Sequence, residues 1–437
     1  MRQRYPVGSA RVRLRPFRGL RYDPDRVDLA AVTAEPPDPS DTLQIAAALS
    51  RDEHNVTWLL DPLLAGASSP DDAEAVSRRL KSWRISGIVR HDDQPAMYAY
   101  QYRRGDRSLL GLVAAISLHD PGEKRVLAHE QVSIEAVERH VTLLAATDAQ
   151  PEPVVLIHHS SARYREQLHA VVAETPTVSF RLGDADGGAE HSLWQLSDPK
   201  QVAELAVEVA TEQLLIADGH HRYTAFRHYR DHAFRSAGAR RPWDFGLAML
   251  VDAADEGLSV GSIHRVVRNV TWADIRSTPG LTMSPVTEGS VAATASQPAH
   301  QCVVTDGQHW VQLAATGHPV TAAVGASSLA VHHLHASWLR HWGAGEADID
   351  YVRDAARAVD YARRSNSLAI LLPAPPLDVV FAAARAGTLL PAKTTSFGPK
   401  PRIGMVLRYW PAGLDDLPTS DSSLSHVTTA AAGGVPG

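Results

Sequence analysis

The segment Leu214-Leu215-Ile216-Ala217-Asp218-Gly219-His220-His221-Arg222 constrains this chain more than any other. Four apolar residues bounded by turn residues read as a buried strand, and Tyr223, Phe226, Tyr229 and Phe234 then follow at roughly helical spacing. With a helical pattern ahead of it at Pro199 to Thr211, the local order is helix, strand, tight turn, helix. Gly219 permits a backbone dihedral, or a close ligand approach, that a side chain would forbid. A helix N-terminus offers unpaired N–H groups and a partial positive charge. One acid, two imidazoles and a guanidinium at that end make a candidate oxyanion or phosphate site. The plainer alternative is a turn capped by Asp218 with solvated histidines.

The remaining pattern predicts an α/β (α+β) fold, a mixed β-sheet with surrounding helices. Met97 to Arg103 and Ser108 to Leu118 read as a hairpin turned at Arg104-Gly105-Asp106. Ala73, Val76, Leu80 and Trp83 mark an amphipathic helix over Asp71 to Trp83, and Arg163 to Glu174 reads as another. The Pro- and Asp-rich stretch 24–41 leads into a helix capped at Ser40 or Asp41. Trp243 to Val251, Ser259 to Val267, Leu368 to Leu372 and Ile403 to Tyr409 read as strands, Asp348 to Arg364 as a helix, and 276–330 as β-leaning. The expected division is a core over 1–275 carrying the Asp218 turn, an α+β segment over 276–412 closing on it, and a disordered Ser/Thr/Ala/Gly/Pro tail over 413–437.

At 437 residues the chain has ample sequence to bury a core, and its single cysteine, Cys302, forbids an internal disulfide. With 43 basic and 49 acidic side chains the net charge is −6, which argues against a nucleic-acid-coating surface. The polar start through Arg15 offers no signal-peptide core, and no apolar run is long enough to span a bilayer. A cytoplasmic, membrane-free protein is expected, with monomer and homodimer both open. No Walker A loop, Gly-x-Ser-x-Gly elbow or zincin motif occurs. His332, His333 and His335, like His158-His159, read as solvated faces rather than metal ligands.

Ile216-Ala217-Asp218-Gly219-His220-His221-Arg222-Tyr223 resembles the signature of the bacterial family catalogued as domain of unknown function 1015. The resemblance extends through Arg15-Pro16-Phe17-Arg18-Gly19-Leu20-Arg21-Tyr22, His54-Asn55, His129-Glu130, His264-Arg265, Lys393 and Pro399-Lys400. One departure puts a binding role for one loop in question: Pro36-Pro37 is followed by Asp38-Pro39, where the family usually has Tyr-Asp-Val-Ile. The turn also looks like the phosphate loop of the ParB and sulfiredoxin superfamily, nearest its free serine kinases. Sulfiredoxin carries a catalytic Cys where His220 stands here, so its chemistry is not expected.

That resemblance implies a nucleotide-dependent kinase acting on a small hydroxylated, amino-acid-like substrate such as serine, with ATP or ADP and Mg²⁺ as cofactors. Phosphoryl transfer asks for charge neutralisation, positioning and a base. Gly219, His220, His221, Arg222, Lys393 and Lys400 would hold phosphates, and Asp218 would cap the helix or hold Mg²⁺ through water. Glu130 is the candidate base, with Asp218, His220 and His221 beside it in the reaction. Arg18, Arg21, His54, Asn55, His129, His264 and Arg265 would contact substrate. A non-catalytic nucleotide- or phosphate-responsive binding protein using the same turn is the alternative.

Overall fold

The computed structural model describes residues 11–38, 41–64, 69–183, 187–233, 242–286, 297–316 and 325–411. Ser40, Phe234 and the tail over 413–437 lie outside them. The chain divides into two compact units, the first comprising residues 1–126, 132–258 and 399–437 and the second residues 127–131 and 259–398. The division expected at 275/276 lies within unit 2, and Lys400 lies in unit 1.

Unit 1 is organised by strands β1 (Leu14–Arg15), β2 (Met97–Arg104), β3 (Arg107–Ser117), β4 (Val154–His158), β5 (Val178–Arg181), β6 (Glu190–Leu196), β7 (Leu214–Asp218) and β8 (Phe245–Asp252). They run in the order β7-β4-β8-β3-β2-β6-β5, with β1 added on β3. Only β4 and β8 are parallel, with His158 opposite Asp252 at their C-terminal ends. The expected hairpin is β2–β3, closed by Gly105-Asp106 with Gly105 at φ +56°, a left-handed conformation glycine adopts freely. Strands β4 and β8 are buried throughout, hence their continuous apolar runs rather than alternation.

Helices α1 (Pro70–Ile85), α2 (Ile134–Thr147), α3 (Ala162–Val172), α4 (Pro199–Val209) and α5 (His220–Ala233) belong to the same unit. Val137, Leu144, Tyr164, Leu168, Val202, Leu205, Tyr223 and Phe226 pack with Leu112, Leu156, Ile216 and Leu250 in one core. In a second cluster the α1 residues Ala73, Val76, Leu80 and Trp83 join Leu20, Tyr22, Leu59 and Tyr409. Burying each large apolar side chain contributes about 1.5–3 kcal/mol, so both clusters fix the elements that carry the polar groups below.

Unit 2 contains β9 (Ser259–Ser262), β10 (His264–Val267), β11 (Leu281–Pro285), β12 (Gln301–Thr305), β13 (Trp310–Ala315), β14 (Ile349–Val352), β15 (Leu368–Leu371) and β16 (Thr395–Gly398). Six form an antiparallel sheet ordered β11-β13-β12-β15-β10-β14, while β9 pairs with β16. Ser259 to Val267 is therefore two strands in two sheets. The expected helix from Asp348 is shorter, because Ile349–Val352 pairs as a strand with β10 and Asp354 caps a helix over Ala355–Ser365. In unit 1, Ile403 to Tyr409 keeps only Arg408–Tyr409 as a strand. Gly404, at φ +89°, breaks its extended course.

Candidate functional site

The turn at Asp218 is built by strand burial on one side and helix packing on the other. Leu214 to Ala217 are buried in β7, whose pairing with β4 shifts register between Ile216 and Asp218. Such an irregularity bends a strand and re-aims its last side chain. Gly219 then takes φ +95°, and a Cβ there would stand 3.0 Å from the Arg222 Nε. Glycine is thus required both by the dihedral and by the guanidinium beside it. Helix α5 starts at once, fixed by Tyr223 and Phe226 in the core and by the Tyr223 hydroxyl, which accepts from the His119 N–H at 2.9 Å.

Around this turn charges are paired in layers. Arg222 donates to the Asp218 carboxylate and to the Pro153 carbonyl at 2.6 Å, and stands 3.7 Å from Glu152. Lys400 donates to the other Asp218 oxygen. Burial alone would raise the Asp218 carboxyl, but Lys400 and Arg222 hold it well below the usual carboxylate range. Glu152 shifts the other way, raised by burial more than Arg222 lowers it. His140 is pushed down to about 3 by burial and by the neighbouring Arg222 and His221. The cluster therefore holds Arg222 and Lys400 against the ionised Asp218 carboxylate, with Glu152 biased by burial toward its protonated form, beside a helix N-terminus.

His220 is buried next to the Asp218 carboxylate. The His221 Nε2 accepts from the Ser133 N–H at 3.0 Å, a structural contact to the start of α2. Unit 1 thus brings together Asp218, Gly219, His220, His221, Arg222 and Lys400. Glu152 and His140 were missed from sequence; the only signal for Glu152 was its place between two prolines.

The other expected residues of unit 1 have structural partners. Arg18 donates to the Asp92 carbonyl at 2.9 Å, and Arg21 to the Asp92 carboxylate at 2.9 and 3.1 Å. The Tyr98 hydroxyl joins that carboxylate at 2.6 Å. Asn55 is fully buried and caps a short helical turn, accepting from the Thr57 N–H at 3.0 Å while donating to the Ala31 carbonyl at 2.6 Å. His54 sits 3.1 Å from Asp52.

Unit 2 holds a second set. Glu130 accepts from the backbone of Thr394 and Thr395 at 3.2 and 3.4 Å, and burial raises its carboxyl, opposed by those N–H groups and by Lys393. His129 is buried with its Nε2 2.9 Å from the Thr395 hydroxyl. His264 accepts the Leu372 N–H at 3.1 Å and is pushed down to about 4 by burial. Arg265 is buried, donates to the Ala392 carbonyl at 3.0 Å, and stacks over Tyr351 at 5.0 Å. Burial lowers it to about 10. Its Nε lies 3.3 Å from the His335 Nε2. His335 is therefore half-buried against Arg265 rather than on a solvated face, and burial takes it to about 4.

The space beside Gly219 is lined by the Arg222 guanidinium, 3.0–3.2 Å from where a Cβ would stand. Magnesium does not fit there on these residues alone. The Asp218 oxygens are taken by Lys400 and Arg222, and among the described residues no group of three or more His, Cys, Asp or Glu side chains could hold a metal ion. Among the same residues no helix is long and apolar enough to cross a membrane.

The model of the family described as "Protein of unknown function (DUF1015)" matches residues 14–336. No curated protein matches the chain. Solved structures similar to it include a free serine kinase variant in complex with ADP, at 13% identity and TM-score 0.36 over 64% of this chain and 89% of that one. A conserved hypothetical protein from Pyrococcus furiosus is similar at 14% identity and TM-score 0.35, over 64% and 90%. SbnI with C-terminal truncation from Staphylococcus aureus is similar at 10% identity and TM-score 0.35, over 66% and 84%.

Proposed function

The chain belongs to the DUF1015 family, and from that premise we propose that it is a nucleotide-dependent phosphotransferase acting on a small hydroxylated, amino-acid-like substrate such as serine. ATP or ADP is the donor, with its phosphates at the turn between β7 and α5. The observation that carries this reading is the convergence of Gly219, the α5 N-terminus, Arg222 and Lys400 on one carboxylate. A helix start with glycine at its mouth and two cations beside it suits a phosphate, whose charge complements both the dipole and the side chains. Arg222 and Lys400 would neutralise it, and His220 would contact it from the first helical turn.

Glu130, which burial biases toward holding its proton, is the residue we assign as general base. A base of raised pKa accepts a hydroxyl proton more readily, and such a group is worth about 10²–10⁴ in rate.

One observation favours a second reading, a non-catalytic nucleotide- or phosphate-responsive binding protein. Asp218 already occupies both cations, so an incoming anion would exchange partners with it, as a switch requires. Incubating the full chain with ATP or ADP and a panel of free hydroxy amino acids tests the first reading by product formation. Bound nucleotide at 100 times its dissociation constant stabilises a protein by about 2.7 kcal/mol. An unchanged melting temperature with every nucleotide would remove both readings. A nucleotide-induced shift without turnover on any acceptor would leave the second.

A further inference from the structure

At the C-terminal ends of the parallel strands β4 and β8, in unit 1, lies a cavity of about 340 Å³ that the phosphate turn does not share. Its walls include Tyr164 and Arg165 of α3, Leu110 of β3, Leu168 of α3, and Asp252, Asp255 and Glu256 at and after the end of β8. Crevices beyond the carboxyl ends of strands are where α/β sheets usually take ligands, and the volume lies at the small end of ligand pockets.

One residue of the lining, Tyr164, and one behind it, His158, carry polar groups that are buried and without hydrogen bonds. The Tyr164 hydroxyl and both ring nitrogens of His158 have no hydrogen-bond partner among the described residues, although each residue is 1% exposed. The two rings meet edge to face at 4.9 Å. Leaving such groups unsatisfied costs about 1–3 kcal/mol each, and a site prepared for a polar ligand is one reason for a fold to keep them.

The charges select the ligand's sign. Arg165 is engaged by Asp252 at 3.1 Å and by the Ser160 carbonyl at 2.9 Å. Asp252 is further held by the Ser160 hydroxyl at 2.6 Å. Asp255 accepts from the backbone N–H groups of Leu110 and Gly257 at 3.1 and 2.8 Å. Neither Asp255 nor Glu256 has a cationic partner within ion-pair distance among the described residues. Three carboxylates against the Arg165 guanidinium and the His169 imidazole, which also lines the cavity and acts on Asp255, leave it net negative, with an apolar wall of Leu110, Leu168 and the Tyr164 ring.

We propose that this cavity binds a small organic cation, a primary amine or guanidine whose charged head meets Asp255 and Glu256 and whose body lies on Leu110, Leu168 and Tyr164. An anion would meet uncompensated carboxylates, and a neutral molecule would leave their charge unpaired. Within the site Tyr164 supplies a hydroxyl for a second polar atom of the ligand.

Calorimetric titration of the full chain with agmatine and putrescine, and with butane-1,4-diol as the uncharged control, tests this. At least one amine binds with a submillimolar dissociation constant and the diol does not. Glu256→Lys, on an exposed side chain, weakens the amine tenfold or more, and Asp255→Asn abolishes binding. Should Asp255→Asn fail to fold, Glu256→Lys carries the comparison alone. Absence of amine binding, equal binding of the diol, or amine binding unaltered in every folded variant would each overturn the proposal.

Discussion

Asp218→Asn separates the two demands placed on the turn between β7 and α5. In the folded chain the Asp218 carboxylate holds Lys400 and Arg222 together, with about a fifth of its side chain exposed. Replacing it by an amide leaves two cations facing each other without their shared anion. Breaking a buried pair in this way costs about 3–5 kcal/mol, and the residual exposure places this one near about 3 kcal/mol. Ligand affinity moves in the opposite direction if phosphate binds here, because the incoming anion no longer competes with a carboxylate and restores the missing charge. A tenfold gain in affinity for ADP, measured at a concentration of 100 times the wild-type dissociation constant, raises the ligand's stabilisation from about 2.7 to about 4.1 kcal/mol. Calorimetry gives the dissociation constants, and thermal melts with and without ADP give the stabilities. A variant that unfolds more readily alone yet is protected more by ADP meets the expectation. If Asp218→Asn binds ADP no better than wild type, Lys400 and Arg222 are not phosphate ligands and serve only to lock the turn.

Three further outcomes follow from the same geometry. Glu130→Gln keeps nucleotide affinity and lowers turnover by about 10²–10⁴ if the chain is a kinase with Glu130 as base; steady-state kinetics beside nucleotide titration read both. Asn55→Ala removes a helical cap and leaves the Ala31 carbonyl without its side-chain donor, costing about 1–3 kcal/mol in urea unfolding while leaving nucleotide affinity unchanged. His158 is pushed down by burial to about 4 from an ordinary 6.5, so the unfolded chain takes up its proton first. The stability this represents, roughly 3 kcal/mol, is present above pH 6.5 and is lost as the pH falls toward 4. His158→Phe removes that part of the acid sensitivity, seen as a smaller difference between urea midpoints at pH 7 and pH 5.

The hairpin at Gly105-Asp106, the helix carrying Ala73 to Trp83, and the strand, turn and helix around Gly219 were legible because each is decided locally. Hydrophobic period, turn chemistry and helix starts act over a few residues. Ile349–Val352 misled for the same reason. Its pattern continues into a helix, and only its pairing with His264–Val267 makes it a strand. His335 and His158 read as solvated because nothing near them in the chain predicts a buried arginine or the end of a parallel strand beside them.

The family-matching residues fall in both units. Asp218 to Arg222 and Lys400 form one cluster in unit 1, and His129, Glu130, His264, Arg265 and Lys393 lie in unit 2. Arg18 and Arg21, which looked like a ligand clamp, are bonded to Asp92.

A buried strand ending at Asp218, a chain reversal at Gly219 and a helix opening on two histidines and an arginine are all written in the local pattern of residues. Those features depend on side-chain size, polarity and backbone freedom within one short segment. How the charges pair is set by the fold. It brings Lys400 across 182 residues of chain to Asp218, places Glu152 beside Arg222, and gathers Asp252, Asp255 and Glu256 about a cavity at the ends of two parallel strands. Electrostatic pairing and desolvation depend on distance and burial, which the fold creates between segments that carry no mark of each other.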